Sequence, residues 1–409
     1  MTDQLSDIDL YNLEQYEREL PLAQLARLRA EAPVFKHSDP ELPEGFWALT
    51  RHADVEFVSR NSEVFSSFEK SALISEFPGQ QLDQLRLLML NQDPPQHTRT
   101  RSLVNRGFTP RMIGQLEERI YKVCCEIIDN AVQQGEGDFV TLCAAELPLI
   151  LIADLMGVPL EDRHKVFDWS NRMVGANDPE YGVTPEEAQS ASIEMFMYAN
   201  ELAEKKRQEP KDDIVTKLLQ PDEEGDVLSE LEFDSFFMLL AVAGNETTRN
   251  AITGGMHALI ENPDQWEKLK HNPDLLSSAA DEIVRYVSPV MHFRRQATRD
   301  VEVGGVTIKK GDKVVIYYTS ANRDESVFEN PDTFDITRDP NPHLGFGGGG
   351  PHFCLGRHLA KLEIEQLFRA LIERVDRVEL VSPPRRLRSN FINGIKEMQV
   401  RFVPQGSAQ

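Results

Sequence analysis

A 409-residue chain with 44 Lys and Arg against 67 Asp and Glu carries a formal charge of −23, which disfavours nucleic acid as a main partner because phosphate is repelled. No apolar run reaches the ~18 residues of a membrane span, and the acidic stretch from Met1 to Leu20 lacks the basic and apolar regions of a signal peptide, so a cytoplasmic protein without a membrane span is expected. Four cysteines, Cys124, Cys125, Cys143 and Cys354, show no CxxC pairing and no histidine at zinc spacing, which argues against a disulfide scaffold or a zinc site.

Helical patterning dominates. Leu22 to Ala32 reads as an amphipathic helix stopped by Pro33. Phe46 to Thr50 reads as a short strand, with a helix near Asp54 to Arg60, while Ser66 to Asp93 is mixed and takes no assignment. Thr109-Pro110 opens a long predicted helix through Val132, the proline suiting a first turn. Cys124, Cys125 and Cys143 lie in or beside apolar helical sequence and read as buried small hydrophobes. A further helix covers roughly Leu147 to Met156, and the turn residues from Asn177 to Gly182 mark a loop. Pro185 to Arg207 is helical again and ends in a polar break at Pro210 to Asp213. Phe233 to Glu261 is the longest apolar helix, stopped by Asn262-Pro263. Period-two patterning at Val301 to Lys309 and Val314 to Tyr318, separated by Lys310-Gly311-Asp312, predicts a small β region. Loops fill Asn330 to Gly350, and an amphipathic helix follows Cys354. No repeat or linker divides the chain, so one domain over residues 1–409 is expected, mainly α with small β-sheets.

The string Phe346-Gly347-Gly348-Gly349-Gly350-Pro351-His352-Phe353-Cys354-Leu355-Gly356 carries the strongest signal. Four consecutive glycines remove every Cβ and open positive φ at an entropic cost, so something flat or bulky is expected against this backbone. Leu355, Leu359, Leu362, Leu367 and Leu371 then mark one face of a helix. Cys354 therefore stands at a helix N-terminus, where the dipole and free N–H groups favour a thiolate. A phosphate cradle competes, but the Gly-Lys-Ser/Thr ending and a preceding buried strand are missing. A redox-active cysteine also competes, but no resolving cysteine lies nearby.

This segment resembles the haem-binding loop of cytochromes P450, and the resemblance extends over almost the whole chain. One departure is that the loop phenylalanine usually stands seven residues before the cysteine, whereas Phe346 stands eight before Cys354. That variant is similar to bacterial P450s that oxidise steroid side chains and methyl-branched lipids. The resemblance implies a triangular prism of helices around a buried haem (heme b, iron protoporphyrin IX) with Cys354 as iron ligand and Gly347 and Gly356 beside it.

Other constellations join this reading. Glu282 and Arg285 stand three apart on one helical face; alone such a pair is usually solvated, but the resemblance implies a buried network with Arg338 that holds the cysteine loop. In the longest helix, Gly244 is costly and Glu246 needs a reason in so apolar a run. A kinked core helix with Glu246 satisfied by an arginine is the bland alternative. The resemblance implies instead that Glu246 and Thr247 pass protons to bound dioxygen, with Ala243 and Gly244 leaving space over the iron. It also implies that His97, Arg101, Arg295 and His352 bind the haem propionates, while Arg99 and Arg294 read as surface charges.

Family position assigns Ser66 to Leu90, Trp169 to Met197, Phe236 to Ala243, Val290 to Phe293 and Phe391-Ile392 to the walls of a lipophilic pocket. The strings Trp169-Ser170-Asn171, Asn177 to Tyr181, Ala243 to Ile252, Asn341 to Leu344 and Asn393 to Lys396 are similar to sterol side-chain terminal hydroxylases. The expected reaction is oxidation of a terminal methyl on a sterol side chain, with methyl-branched fatty acids or terpenoids as the alternative. No flavin or nicotinamide fingerprint occurs, so electrons from NAD(P)H are expected through a ferredoxin reductase and an acidic ferredoxin, docked near Arg357, Lys361, Arg101 and Arg111. A monomer is expected. A peroxide-driven enzyme is disfavoured by Glu246-Thr247, and the same pair argues against a non-catalytic haem sensor or lipid-binding protein.

Overall fold

The computed structural model describes residues 5–174, 178–181, 183–211 and 213–406. Its axis is the longest helix, Glu230–Glu261, opened by a capping box in which Ser229 and Glu232 satisfy each other's backbone N–H groups. At 32 residues it is about 48 Å long. Helices Glu146–Leu155, Arg163–Val174, Pro185–Gln208, Leu276–Val287 and Arg357–Arg374 pack on it. One hydrophobic cluster runs through these helices from Met89 to Phe402.

A five-stranded sheet lies beside the bundle in the order Val34–Asp39, Leu42–Leu49, Lys313–Tyr317, His292–Ala297, Phe65–Ser66. The second and third strands pair in parallel, Trp47 with Val314, and the other pairings are antiparallel. A three-stranded sheet joins Glu136–Asp138, Gln399–Pro404 and Val375–Leu380, and a short hairpin pairs Arg385–Arg386 with Ile395–Glu397. Among the described residues, no helix is long and apolar enough to cross a membrane.

The chain is mainly helical with small sheets, as expected, with local differences. The helix expected from Pro110 to Val132 is two, Pro110–Gly114 and Glu117–Gln134, because the Leu116 N–H bonds Ile113 O at 2.9 Å and tightens the turn. The strand expected over Val301 to Lys309 is a hairpin, Val301–Val303 with Val306–Ile308, since Gly304 and Gly305 both take positive φ and reverse the chain. Within Ser66 to Asp93 lie a helix at Gly79–Leu85 and a 3-10 turn at Met89–Asn91. Cys124 and Cys143 are fully buried, whereas Cys125 is half-buried. Asn177 and Gly182, at the ends of the expected loop, lie outside the described residues.

Candidate functional site

The glycine string folds into a loop closed on itself. Cys354 N–H donates to Phe346 O at 2.9 Å, and Gly347 N–H to Leu344 O at 2.8 Å. The extra residue between Phe346 and Cys354 is absorbed in a turn where Phe353 N–H reaches Gly350 O. Phe346 still packs on the main core and against the His343 ring. Against two of the four glycines the bulky neighbour is another helix. A Cβ on Gly348 would stand 2.6 Å from Ser59 Oγ, and one on Gly350 2.3 Å from Ser59 O, so these residues admit the helix His52–Arg60. Gly347 and Gly356 do line the cavity, and nothing stands within 4 Å of a Cβ on Gly356.

Gly356 caps the helix Arg357–Arg374, and the thiol of Cys354 faces that helix start. Burial pushes the thiol up, while the N–H groups of Gly356 and Arg357 and the guanidinium of Arg101 favour the thiolate.

Behind the loop, Glu282 and Arg285 are both 0% exposed. Arg285 Nε and Nη2 donate to the two Glu282 oxygens at 2.7 Å, and Arg338 Nε reaches Glu282 Oε2 at 3.2 Å. Asp335 N–H and Asn341 Nδ2 also donate to this carboxylate. Full pairing is what a buried ion network requires. Sequence reasoning missed Asn322, which links the network to the loop: its carbonyl accepts from Arg285 Nη1, and its Oδ1 accepts from Leu344 N–H at 2.7 Å. Its only sequence signal was a polar residue after an apolar strand.

Above Cys354 lies a cavity of about 250 Å³. Its floor is the loop from Gly345 to Gly347 and His352 to Gly356; its roof is the long helix at Phe236, Leu239, Leu240, Ala243, Gly244, Thr247, Thr248 and Ala251. Met89, Leu90, Phe108, Ile152, Val290 and Phe293 form apolar walls. Other expected wall residues stand elsewhere. Met291 and His292 are buried but do not line the cavity, Phe391 packs tilted against Phe293 with ring centroids 5.5 Å apart, and Trp169 packs on Tyr198 with its indole N–H on Glu194. The expectation that Gly244 leaves space over the iron is also refined. A Cβ on Gly244 would meet Ile152 Cδ1 at 2.5 Å, so this glycine makes room for the Ile152 side chain as well as lining the cavity beside Ala243.

At one rim the rings of His97 and His352 lie 4.4 Å apart beside Arg101, with Arg295 buried nearby at 3% exposure. Burial and the Arg101 and Arg295 charges push His97 down to about 4, and burial with the same cations holds His352 far below its usual range. His97 Nδ1 is buried without a partner. Two arginines, beside imidazoles that burial and those arginines keep uncharged, fit a ligand carrying two carboxylates. With a thiol aimed across the same cavity, the residues fit haem.

Charge assignments elsewhere differ. Arg294 is 1% exposed and pairs with Glu76 at 3.0 Å, correcting its reading as a surface charge; on its strand it is as buried as Arg295. Arg99 is half-exposed and bridges Asp226 and Glu232. In the expected docking patch, Arg101 instead lines the cavity, Lys361 is held by Asp281 at 2.6 Å, and Arg357 lies over the Phe353 ring; Arg111 is exposed.

On the roof, Thr247 faces the cavity and its hydroxyl donates to Ala243 O at 2.7 Å. Glu246 is 2% exposed, does not line the cavity, and pairs with Arg249 one turn on. The acid and the alcohol are thus adjacent in sequence on different faces of one helix.

Residues 182–402 match the family model described as Cytochrome P450. A steroid C26-monooxygenase of Rhodococcus jostii is 48% identical over 404 residues, covering 96% of this chain and 84% of that one. A methyl-branched lipid omega-hydroxylase of Mycobacterium tuberculosis is 40% identical over 409 residues, covering 98% and 94%. Among solved structures, a Mycobacterium marinum cytochrome P450 in complex with pseudoionone matches with a TM-score of 0.90 and 38% identity, covering 97% of this chain and 99% of that one.

Proposed function

The chain belongs to the cytochrome P450 family, and from that premise we propose that it hydroxylates a terminal methyl of a sterol side chain. The observation that carries the substrate is the 48% identity to a steroid C26-monooxygenase across almost the whole chain. The apolar walls at Met89, Leu90, Phe236, Leu240, Val290 and Phe293 support a hydrophobic ligand.

When bound, haem would supply the reductive activation of dioxygen, with a cysteine thiolate as its protein ligand. Cys354 is the residue placed to ligate the iron, with its loop held by the Glu282 network through Asn322. His97, Arg101, Arg295 and His352 would hold the two propionates. The two arginine charges would then gain partners, and the uncharged imidazoles would donate N–H hydrogen bonds. Ala243 keeps the roof low, and the apolar walls exclude water from the reacting carbon. Thr247 at the cavity and Glu246 behind it on the long helix would deliver protons into the cavity. The chain acts as one domain, which the continuous core from Met89 to Phe402 supports. Electrons come from NAD(P)H through a ferredoxin reductase and a ferredoxin.

Spectral titration of the ferric protein tests the substrate class. Sterols with an intact side chain should displace water from the iron and shift the Soret band from low to high spin at micromolar concentration. A shift with branched fatty acids or terpenoids and none with any sterol would replace the sterol reading by the one that the methyl-branched lipid relative favours.

A further inference from the structure

His292 and Tyr317 stand opposite each other on neighbouring strands of the five-stranded sheet, with ring centroids 5.3 Å apart. Their exposures are 0% and 1%. Among the described residues, neither imidazole nitrogen of His292 nor the hydroxyl of Tyr317 has a hydrogen-bond partner. The Asn390 backbone is near enough to favour a charged imidazole but is not placed to bond it. Burial keeps the imidazole uncharged, so it offers one donor and one acceptor, and the phenol adds a second donor. Buried polar atoms are ordinarily satisfied. Three unpaired on two facing residues mark a site for an uncharged polar group.

A chain of rings leads from this pair to the cavity. Phe391 packs on His292 at 5.8 Å and on Phe293 at 5.5 Å, and Phe293 lines the cavity above Cys354. On the other side, Tyr317 joins an apolar cluster that contains Leu10 and Ile74. The cavity, at about 250 Å³, is smaller than the ~300–1,000 Å³ of pockets that take drug-sized ligands, and haem would fill part of it. A sterol whose side chain ends over Cys354 therefore cannot keep its ring system within these walls. Its oxygen stands on the ring system, at the end of the molecule away from that side chain.

We propose that His292 and Tyr317 form a polar subsite for the ring oxygen of the sterol, a ketone or a hydroxyl, with the ring system lying along Phe293 and Phe391. The inference rests on the reading that the substrate is a sterol oxidised on its side chain. Entry requires the Phe391 ring to turn from its place on Phe293. A ketone then accepts from the Tyr317 hydroxyl or the imidazole N–H, and a hydroxyl can also donate to the other imidazole nitrogen. Such a site discriminates against an analogue that lacks the oxygen, because its own polar groups are then left unpaired. Neither residue carries a charge, so the carboxylate of a branched fatty acid would be buried there uncompensated. Anchoring the ring oxygen also fixes how far the side chain reaches into the cavity, which places its terminal methyl.

Ferric, haem-loaded wild type, Tyr317→Phe and His292→Phe are titrated with cholestenone, cholesterol and cholestane, with the Soret shift as readout. The three ligands share one side chain, and cholestane lacks the ring oxygen. Tyr317→Phe removes a single buried oxygen, and the reduced carbon-monoxide band checks that each variant is intact. In wild type both oxygenated ligands should bind about tenfold tighter than cholestane. Each variant should lose most of that preference and keep the cholestane Kd within about twofold of wild type. Cholestenone labelled with ¹³C at its carbonyl gives a second readout, since a hydrogen-bonded C=O stretches at lower frequency. That band should lie lowest in wild type and rise in both variants. If cholestane binds as tightly as cholestenone, or both variants keep the wild-type preference and carbonyl frequency, sterol binding stands and the subsite is overturned. If none of the three ligands shifts the Soret band, the sterol reading falls and this inference with it.

Discussion

On the Cys354 side of the cavity the carboxylate that fixes the backbone is fully paired: Glu282 meets two arginines, an amide and a backbone N–H, and Asn322 carries that network to the loop. On the long-helix side, Asn245, one oxygen of Glu246 and Arg249 Nε are buried unpaired. The floor has a loop geometry to hold, and a fully paired carboxylate keeps it rigid. In the proposed relay the roof moves protons, and unpaired groups are the ones that can exchange partners. The contrast separates two buried carboxylates in one molecule, Glu282 fully paired and Glu246 with one oxygen unpartnered.

The largest break of that contrast is at the iron ligand. Cys354→Ser should abolish the thiolate-type Soret band of the reduced carbon-monoxide complex; its retention would remove the assignment of the floor. Next is Glu282→Ala, which strands Arg285 without its carboxylate at 0% exposure. The loss is expected at about 3–5 kcal/mol, or as failure to retain haem, in chemical denaturation. An unfolding midpoint equal to wild type would show that the floor needs no such network.

A pH effect follows from outside both regions. Burial pushes His292 down to about 4, so the folded protein keeps it neutral. Below the usual value of about 6.5, the unfolded chain binds a proton that the folded chain refuses, so stability falls as pH drops from about 6.5 toward 4. The contribution at pH 4 is about 3 kcal/mol. His292→Phe should flatten that part of the stability profile relative to wild type; parallel profiles would contradict it.

The smallest expected effects separate glycines of the fold from glycines of the ligand site. Gly350 has φ +73° and faces Ser59 O, so Gly350→Ala should cost the haem-free chain about 2 kcal/mol in thermal unfolding. Gly356→Ala has open space and an ordinary φ of −84°, and should change the same quantity by less than about 0.5 kcal/mol while weakening haem retention. Equal effects at both would erase the distinction.

The floor was legible in the sequence because backbone demands show as residue types: consecutive glycines, a cysteine before a helix, an acid and a base three apart. Which glycine served which neighbour was not, because Ser59 meets Gly348 and Gly350 only through the fold. Arg294 and Arg295 are consecutive, and no local pattern reveals that both are buried. The acid–alcohol pair was legible as residues but not as geometry, since adjacent helical positions point about 100° apart. Trp169 was misplaced as a cavity wall because its role is to join two helices behind the roof.

The most direct test supplies the protein with a ferredoxin, its reductase, NAD(P)H and a sterol such as cholestenone under ¹⁸O-labelled dioxygen, and locates oxygen in the product by mass spectrometry and NMR. The account predicts one labelled oxygen on a terminal methyl of the side chain in the first product. Oxidation confined to the ring system, or a product whose new oxygen is unlabelled, would contradict it.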